Sequence, residues 1–162
     1  MAIKRKLESI LRNCPPLFRL GSRLYHAINP GFKSLSPGAP GAIDRAFDLA
    51  KNLHDGGPIG DYYEFGLYKG YTFFSAYQAA KRLGLTETRF YGFDSFQGLP
   101  QVEDLDKTGG RFFEGQFACT RQQVEKNLRK HGVNFNRIRL IEGFYEDTLV
   151  EHLKDDLPAR RA

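Results

Sequence analysis

IGDYYEFGLYKGYTFFSAYQAAKRLGLTETRFYGFD, residues Ile59 to Asp94, changes its periodicity twice within 36 residues. Ile59 to Phe65 is short, apolar and aromatic, the mark of a buried strand. Gly66 to Gly70 is a turn bounded by glycines. Tyr71 to Leu83 then repeats at helical spacing, with Phe73, Phe74, Tyr77 and Ala80 on one face, and Gly84 stands where a helix C-cap belongs. Arg89 to Phe93 is a second short strand, and Asp94 follows it. A strand, a helix and a second strand in this order need a crossover connection, which predicts parallel pairing with the helix packed on the sheet.

Outward from this unit the alternation continues. Upstream, Asp55-Gly56-Gly57-Pro58 is a turn, and Ala42 to His54 reads as a helix with Ile43, Ala46, Phe47, Ala50 and Leu53 on one face. Downstream, Asp94 to Cys119 is irregular, a length at which loops are usually functional. Thr120 to Gln123 fits a capping box, in which the Thr hydroxyl and the Gln side chain satisfy free amides at a helix start. That helix reaches about Lys130, Arg137 to Glu142 is a third strand, and Asp147 to Lys154 reads as a short helix. The predicted order is α-β-α-β-α-β-α, an α/β fold with a Rossmann-like parallel sheet. Its first strand would lie at an open edge, which favours a homo-oligomer of this chain.

The charge is unevenly placed. Of the 24 basic and 19 acidic residues, positions 1–35 hold Lys4, Arg5, Lys6, Arg12, Arg19, Arg23 and Lys33 against Glu8 alone. The net charge of +5 therefore belongs to an arm. The arm carries two helical patterns, ended by Pro15-Pro16 and Pro30-Gly31, and the Pro/Gly/Ser-rich stretch 30–41 reads as a linker. Two units are expected, a basic helical arm with its linker (1–41) and the α/β half-domain (42–162). A nearly neutral domain does not suit a nucleic-acid binder. No apolar run reaches the length of a transmembrane segment. Cys14 and Cys119 form no C-x-x-C pair, so neither a disulfide framework nor a zinc site is expected, and the cytoplasm is the default compartment. The four histidines are scattered, and the acidic run Glu103-Asp104-Leu105-Asp106 reads as a solvated loop. No residue of this chain stands out as the catalytic base.

On a parallel sheet, ligands bind beyond the carboxyl ends of the strands. Those ends carry Glu64-x-Gly66-x-x-x-Gly70, Asp94-Ser95 and Glu142-Gly143. Gly66 allows a sharp turn close to a ligand, Gly70 opens the following helix and lets it pack close to the strand, and Asp94 suits two ribose hydroxyls. A dinucleotide fingerprint has a glycine where this loop has Tyr68. Tyr68 and the charge of Glu64 disfavour a pyrophosphate and suit a cofactor with a cationic amino acid end, S-adenosyl-L-methionine (SAM). Phe112, Phe113 and Phe117 in the long connection suit either a lid over these strand ends or an anchor to the core.

The runs Tyr63 to Gly70, Tyr91-Gly-Phe-Asp-Ser-Phe-Gln-Gly-Leu-Pro100 and Glu142-Gly-Phe-Tyr-Glu-Asp-Thr-Leu149 resemble the macrocin O-methyltransferase family, over roughly Ile59 to Leu157. The resemblance implies a class I SAM-dependent methyltransferase acting on a small-molecule hydroxyl, of a sugar or natural product. By position, Glu64, Gly66, Tyr68 and Gly70 would line the methionine part, Asp94 would hold the ribose with Ser95 and Phe96 beside it, and Glu142 and Gly143 would border the adenine. The family's next element, a strand ending in an acidic segment, supplies Mg2+ ligands and the acid–base group. The sequence ends where that strand is expected, so the chain reads as the cofactor-binding half, with Mg2+ expected only in a full-length form. The alternatives are a nicotinamide-dependent oxidoreductase and a non-catalytic degenerate domain.

Overall fold

The computed structural model describes residues 32–101, 112 and 114–150. The basic arm up to Gly31, the acidic run at 103–106, Phe113, and His26 and His152 lie outside them. The described residues group into two compact units, one of 32–97 with 119–150 and one of 98–101, 112 and 114–118.

The larger unit contains α1 (Ala39–Leu53), β1 (Tyr62–Phe65), α2 (Tyr71–Arg82), β2 (Phe90–Asp94), α3 (Arg121–Lys130), a 3-10 turn at Phe135–Arg137, β3 (Ile138–Glu142) and the single turn α4 (Tyr145–Thr148). The predicted alternation holds. The strands form one parallel sheet in the order β1-β2-β3, with Glu64 beside Gly92 and Asp94 beside Glu142. Boundaries differ where turn chemistry intervenes. α1 starts at Ala39, within the stretch read as linker, because Pro40 falls in its first turn, where no amide is needed. β1 starts only at Tyr62, because Gly60 takes a φ of +83° and leaves the extended region. α4 starts at Tyr145, ahead of the expected Asp147.

Each strand sends alternate residues to opposite faces. On one face Phe90, Leu140, Tyr62 and Ile138 meet Phe47 of α1, Phe73, Ala76, Tyr77 and Ala80 of α2, and Val124 and Leu128 of α3. Phe73, Phe90, Val124 and Leu128 are fully buried. The other face carries two cross-strand aromatic stacks, Tyr63 on Tyr91 at 5.0 Å and Phe65 on Phe93 at 4.9 Å. Tyr91 and Phe93 are buried, whereas Tyr63 is 41% and Phe65 53% exposed. Among the described residues nothing pairs with the outer edge of β1.

The amino ends of the strands are closed by Arg137. Its guanidinium donates to the carbonyls of Thr88 (2.8 Å) and Leu85 (2.6 Å) and lies over the rings of Tyr77 and Phe90. At α3, Thr120 Oγ1 accepts from the Gln123 amide, so that half of the expected capping box is present. The other half is not. Gln123 Nε2 turns along the helix to Asn127 Oδ1 (2.9 Å), because the buried Asn127 needs a donor.

Candidate functional site

The carboxyl ends of the three strands lie side by side, joined past the last ladder positions by main-chain bonds. Gly66 N–H donates to Phe93 C=O (2.8 Å) and Gly143 N–H to Asp94 C=O (3.1 Å). The loops that follow are gathered by a single side chain. Asp94 Oδ2 accepts from the amides of Leu67 (2.6 Å) and Tyr68 (3.1 Å), and Oδ1 accepts from the amide of Phe96 (2.7 Å). Tyr68 and Phe96 have φ of +50° and +54°, backbone angles that a residue with a side chain adopts only at a cost. Each donates its amide to the same carboxylate. Charge-assisted bonds of this kind are the stronger class, and here they offset the strain of both turns.

The loop between β1 and α2 is fixed from two further directions. Leu67 is buried in the space left by Gly92, where a Cβ would come within 2.8 Å of the Leu67 methyl. Asn127 Nδ2 donates to Lys69 C=O (3.0 Å), tying α3 to the loop. Gly70 takes a φ of +80° as the residue ahead of α2, and a Cβ there would stand 3.1 Å from Val124 Cγ1. The close approach that Gly70 permits is therefore to α3, not to the strand.

The Glu64 carboxylate is held between two hydroxyls. It accepts from Tyr62 Oη (2.7 Å) and from Thr72 Oγ1 in the first turn of α2. Burial pushes this carboxyl above the usual carboxylate range, the hydroxyl bonds pull it back, and Asp94 adds a smaller push upward. A negative charge this near the first turn of α2 is favoured by the helix dipole and disfavours a second anion close by.

The remaining expected residues are distributed as follows. Ser95 is buried, and its Oγ accepts from the Gln97 amide (3.2 Å). The Phe96 ring belongs to the core, so only its main chain borders the strand ends. Glu142 is half-exposed and pairs with Arg121 (3.6 Å). Gly143 has no room for a side chain, since a Cβ would lie 2.6 Å from Thr148 Cγ2. Two residues that sequence reading missed also belong here. Tyr145, at the start of α4, puts its hydroxyl 3.6 Å from the position of a Cβ on Gly66 and its ring edge-on to Phe65. Burial, and then Asp94, raise its phenol. Cys119 is partly buried, and its thiol is pushed up by burial, with Lys69 lowering and Asp94 raising it. Its position in a loop gave no signal, whereas Tyr145 stood inside one of the quoted runs.

Among the described residues, no three His, Cys, Asp or Glu side chains are grouped to hold a metal ion, and no helix is long and apolar enough to cross a membrane. A hollow of about 270 Å³ lined by Lys51, Thr86 and Thr88 lies at the amino ends of the strands, away from this constellation.

Comparison with known proteins agrees with the fold. The solved structure of the O-methyltransferase NovP superposes with a TM-score of 0.59 at 20% identity, over 71% of this chain and 48% of that one. The crystal structure of the calicheamicin methyltransferase CalS11 does so with a TM-score of 0.55 at 24% identity, over 70% and 48%. Both confirm the fold. In sequence, the chain is 29% identical over 102 residues to the 8-demethyl-8-(2,3-dimethoxy-alpha-L-rhamnosyl)-tetracenomycin-C 4'-O-methyltransferase of Streptomyces olivaceus, covering 60% of this chain and 39% of that protein. The chain thus spans less than half the length of these relatives. A family profile matches residues 44–161, nearly all of the chain beyond the arm. The protein belongs to the macrocin-O-methyltransferase (TylF) family.

Proposed function

We propose that this chain supplies the SAM-binding half of an O-methyltransferase whose acceptor is a small-molecule hydroxyl, of the sugar or natural-product kind, working in the cytoplasm. The observation that carries the reading is the Asp94 carboxylate, which holds the loops after β1 and β2 together in strained turns just beyond the strands' carboxyl ends. In this reading Gly66, Tyr68 and Gly70 border the amino acid end of the cofactor, and Glu64 shapes that end from beneath. A carboxylate offers about four acceptor positions. Three are taken by amides, so Asp94 has one free for a ribose hydroxyl, and a second hydroxyl must compete with a loop amide. Ser95 and the Phe96 main chain lie beside it, and Glu142 and Gly143 border the adenine. When bound, SAM would supply a methyl group on a positively charged sulfur.

The residues suit that cofactor better than a dinucleotide. Tyr68 stands where a pyrophosphate needs bare backbone, and the Glu64 carboxylate, bonded to Thr72 in the first turn of α2, would repel one. The unit from residue 42 onward is assigned to cofactor binding and the basic arm 1–41 to a separate role. Mg2+ and the acid–base group belong to the further length that the relatives possess.

Titration calorimetry of the folded chain with SAM, S-adenosylhomocysteine (SAH) and NADH tests the proposal. Binding of SAM and SAH without NADH is expected. Absence of heat with both adenosyl compounds, or binding of NADH in their place, overturns it.

A further inference from the structure

Tyr145 stands over the junction of two subsites that were assigned independently of it. Its hydroxyl lies above Gly66, assigned to the methionine half of the cofactor. Asp94, assigned to the ribose, is tied to the same place from both sides: its carboxylate accepts from the amide of Leu67, next to Gly66, and its carbonyl accepts from Gly143 N–H, two residues before Tyr145. In SAM the atom that joins the methionine half to the ribose is the sulfonium. The side chain is also held in place. The ring rests edge-on against Phe65 at 6.0 Å and 80°, and Phe65 is itself stacked on Phe93 at 4.9 Å. The main chain at Tyr145 is fixed because its carbonyl accepts from Leu149 N–H (2.8 Å), and because the Phe144 carbonyl just before it accepts from Asp147 N–H and Thr148 N–H. Gly143, with a φ of +143° and Thr148 Cγ2 2.6 Å from where a Cβ would stand, leads into this turn. With 43% of its surface exposed, the ring is covered on the Phe65 side and otherwise accessible.

We infer that Tyr145 is the residue that contacts the sulfonium end of the cofactor, its ring and phenolic oxygen favouring the positively charged SAM over the neutral SAH. This inference rests on the proposed SAM site and adds to it a residue that sets the preference between cofactor and product. An aromatic ring attracts a cation in a partly desolvated site, and an oxygen lone pair does the same. Neither gains anything comparable from an uncharged thioether.

The test is calorimetric titration of the wild-type chain, Tyr145→Phe and Tyr145→Ala with SAM and with SAH. Far-UV circular dichroism and thermal unfolding establish that each variant is folded, as expected for a side chain this exposed. In Tyr145→Ala, SAM affinity is expected to fall about tenfold, the equivalent of a strong cation–ring contact, and SAH affinity by less than half of that factor. Tyr145→Phe should fall between wild type and Tyr145→Ala for SAM and match wild type for SAH. Equal losses for both ligands, or no loss in the alanine variant, overturn the inference while leaving the SAM site standing. Failure of wild type to bind either ligand overturns the site itself, and the inference with it.

Discussion

At the residue scale the decisive groups are two partly buried acids with different tasks. Glu64 is enclosed by Tyr62, Thr72 and the start of α2, and burial raises its pKa. A raised folded-state value means that the folded protein binds the proton more tightly than the unfolded chain does. The stability contribution is then full below the unfolded carboxylate pKa and is lost as pH rises through the higher folded value. Glu64→Gln keeps the shape and can still bond both hydroxyls, yet removes that titration. The variant is expected to unfold at a higher temperature than wild type at neutral pH, with the gap narrowing as pH falls below the carboxylate range. Thermal melts across pH 4–8 read this directly, and parallel curves would refute it. The sequence made Glu64 legible as an acid at a strand end but not the direction of its side chain. That direction follows from strand parity, which places Glu64 with Tyr62 on the helix-covered face. The positive φ of Tyr68 and Phe96 was equally hidden, because neither residue type signals a left-handed turn.

At the scale of elements, α3 does more than cover the sheet. Its pattern reads as an ordinary amphipathic helix, and Asn127 looks like a polar residue on a wet face. It is buried, and it bridges Gln123 and the main chain of Lys69. Asn127→Ala removes the bond from its side-chain amide to the Lys69 carbonyl together with the one it accepts from Gln123. A loss of about 1–3 kcal/mol in urea unfolding is expected, the usual cost of orphaning a buried polar group. Gln123→Ala, which leaves that carbonyl bond intact and removes only the donor to Asn127 Oδ1, should cost less than Asn127→Ala, which loses both bonds. If the two losses are equal, the loop is not being held by α3. The order and type of the elements were readable because each apolar run changes period at a glycine or proline. The partner of Gly70 was not, since Val124 lies 54 residues away and only the folded chain brings them together.

At the scale of the whole molecule, β1 is the sheet's edge among the described residues, and it presents Tyr63 and Phe65 beside unpaired backbone. Exposed aromatic edges of parallel sheets invite pairing with another strand. The chain is expected to self-associate with rising concentration, and Tyr63→Lys should weaken that association. The cost in stability should be about 1 kcal/mol, for the lost stack on Tyr91. Sedimentation velocity over a concentration series tests both halves; a wild type that stays monomeric throughout removes the idea. Openness of this edge was foreseeable from the count of strands, whereas the aromatic ladder behind it required the register of Tyr63 with Tyr91 and Phe65 with Phe93.

The shared carboxylate of Asp94 also gives the molecule a built-in spectroscopic reporter. The amide protons of Leu67, Tyr68 and Phe96 all point at one pair of oxygens, so their nitrogen–proton resonances should lie downfield and exchange slowly with solvent although all three sit in turns. Any guest whose hydroxyls compete for those oxygens must perturb the three signals in concert. A titration followed by two-dimensional NMR would therefore register nucleoside entry at three assigned peaks, without label, substrate or turnover.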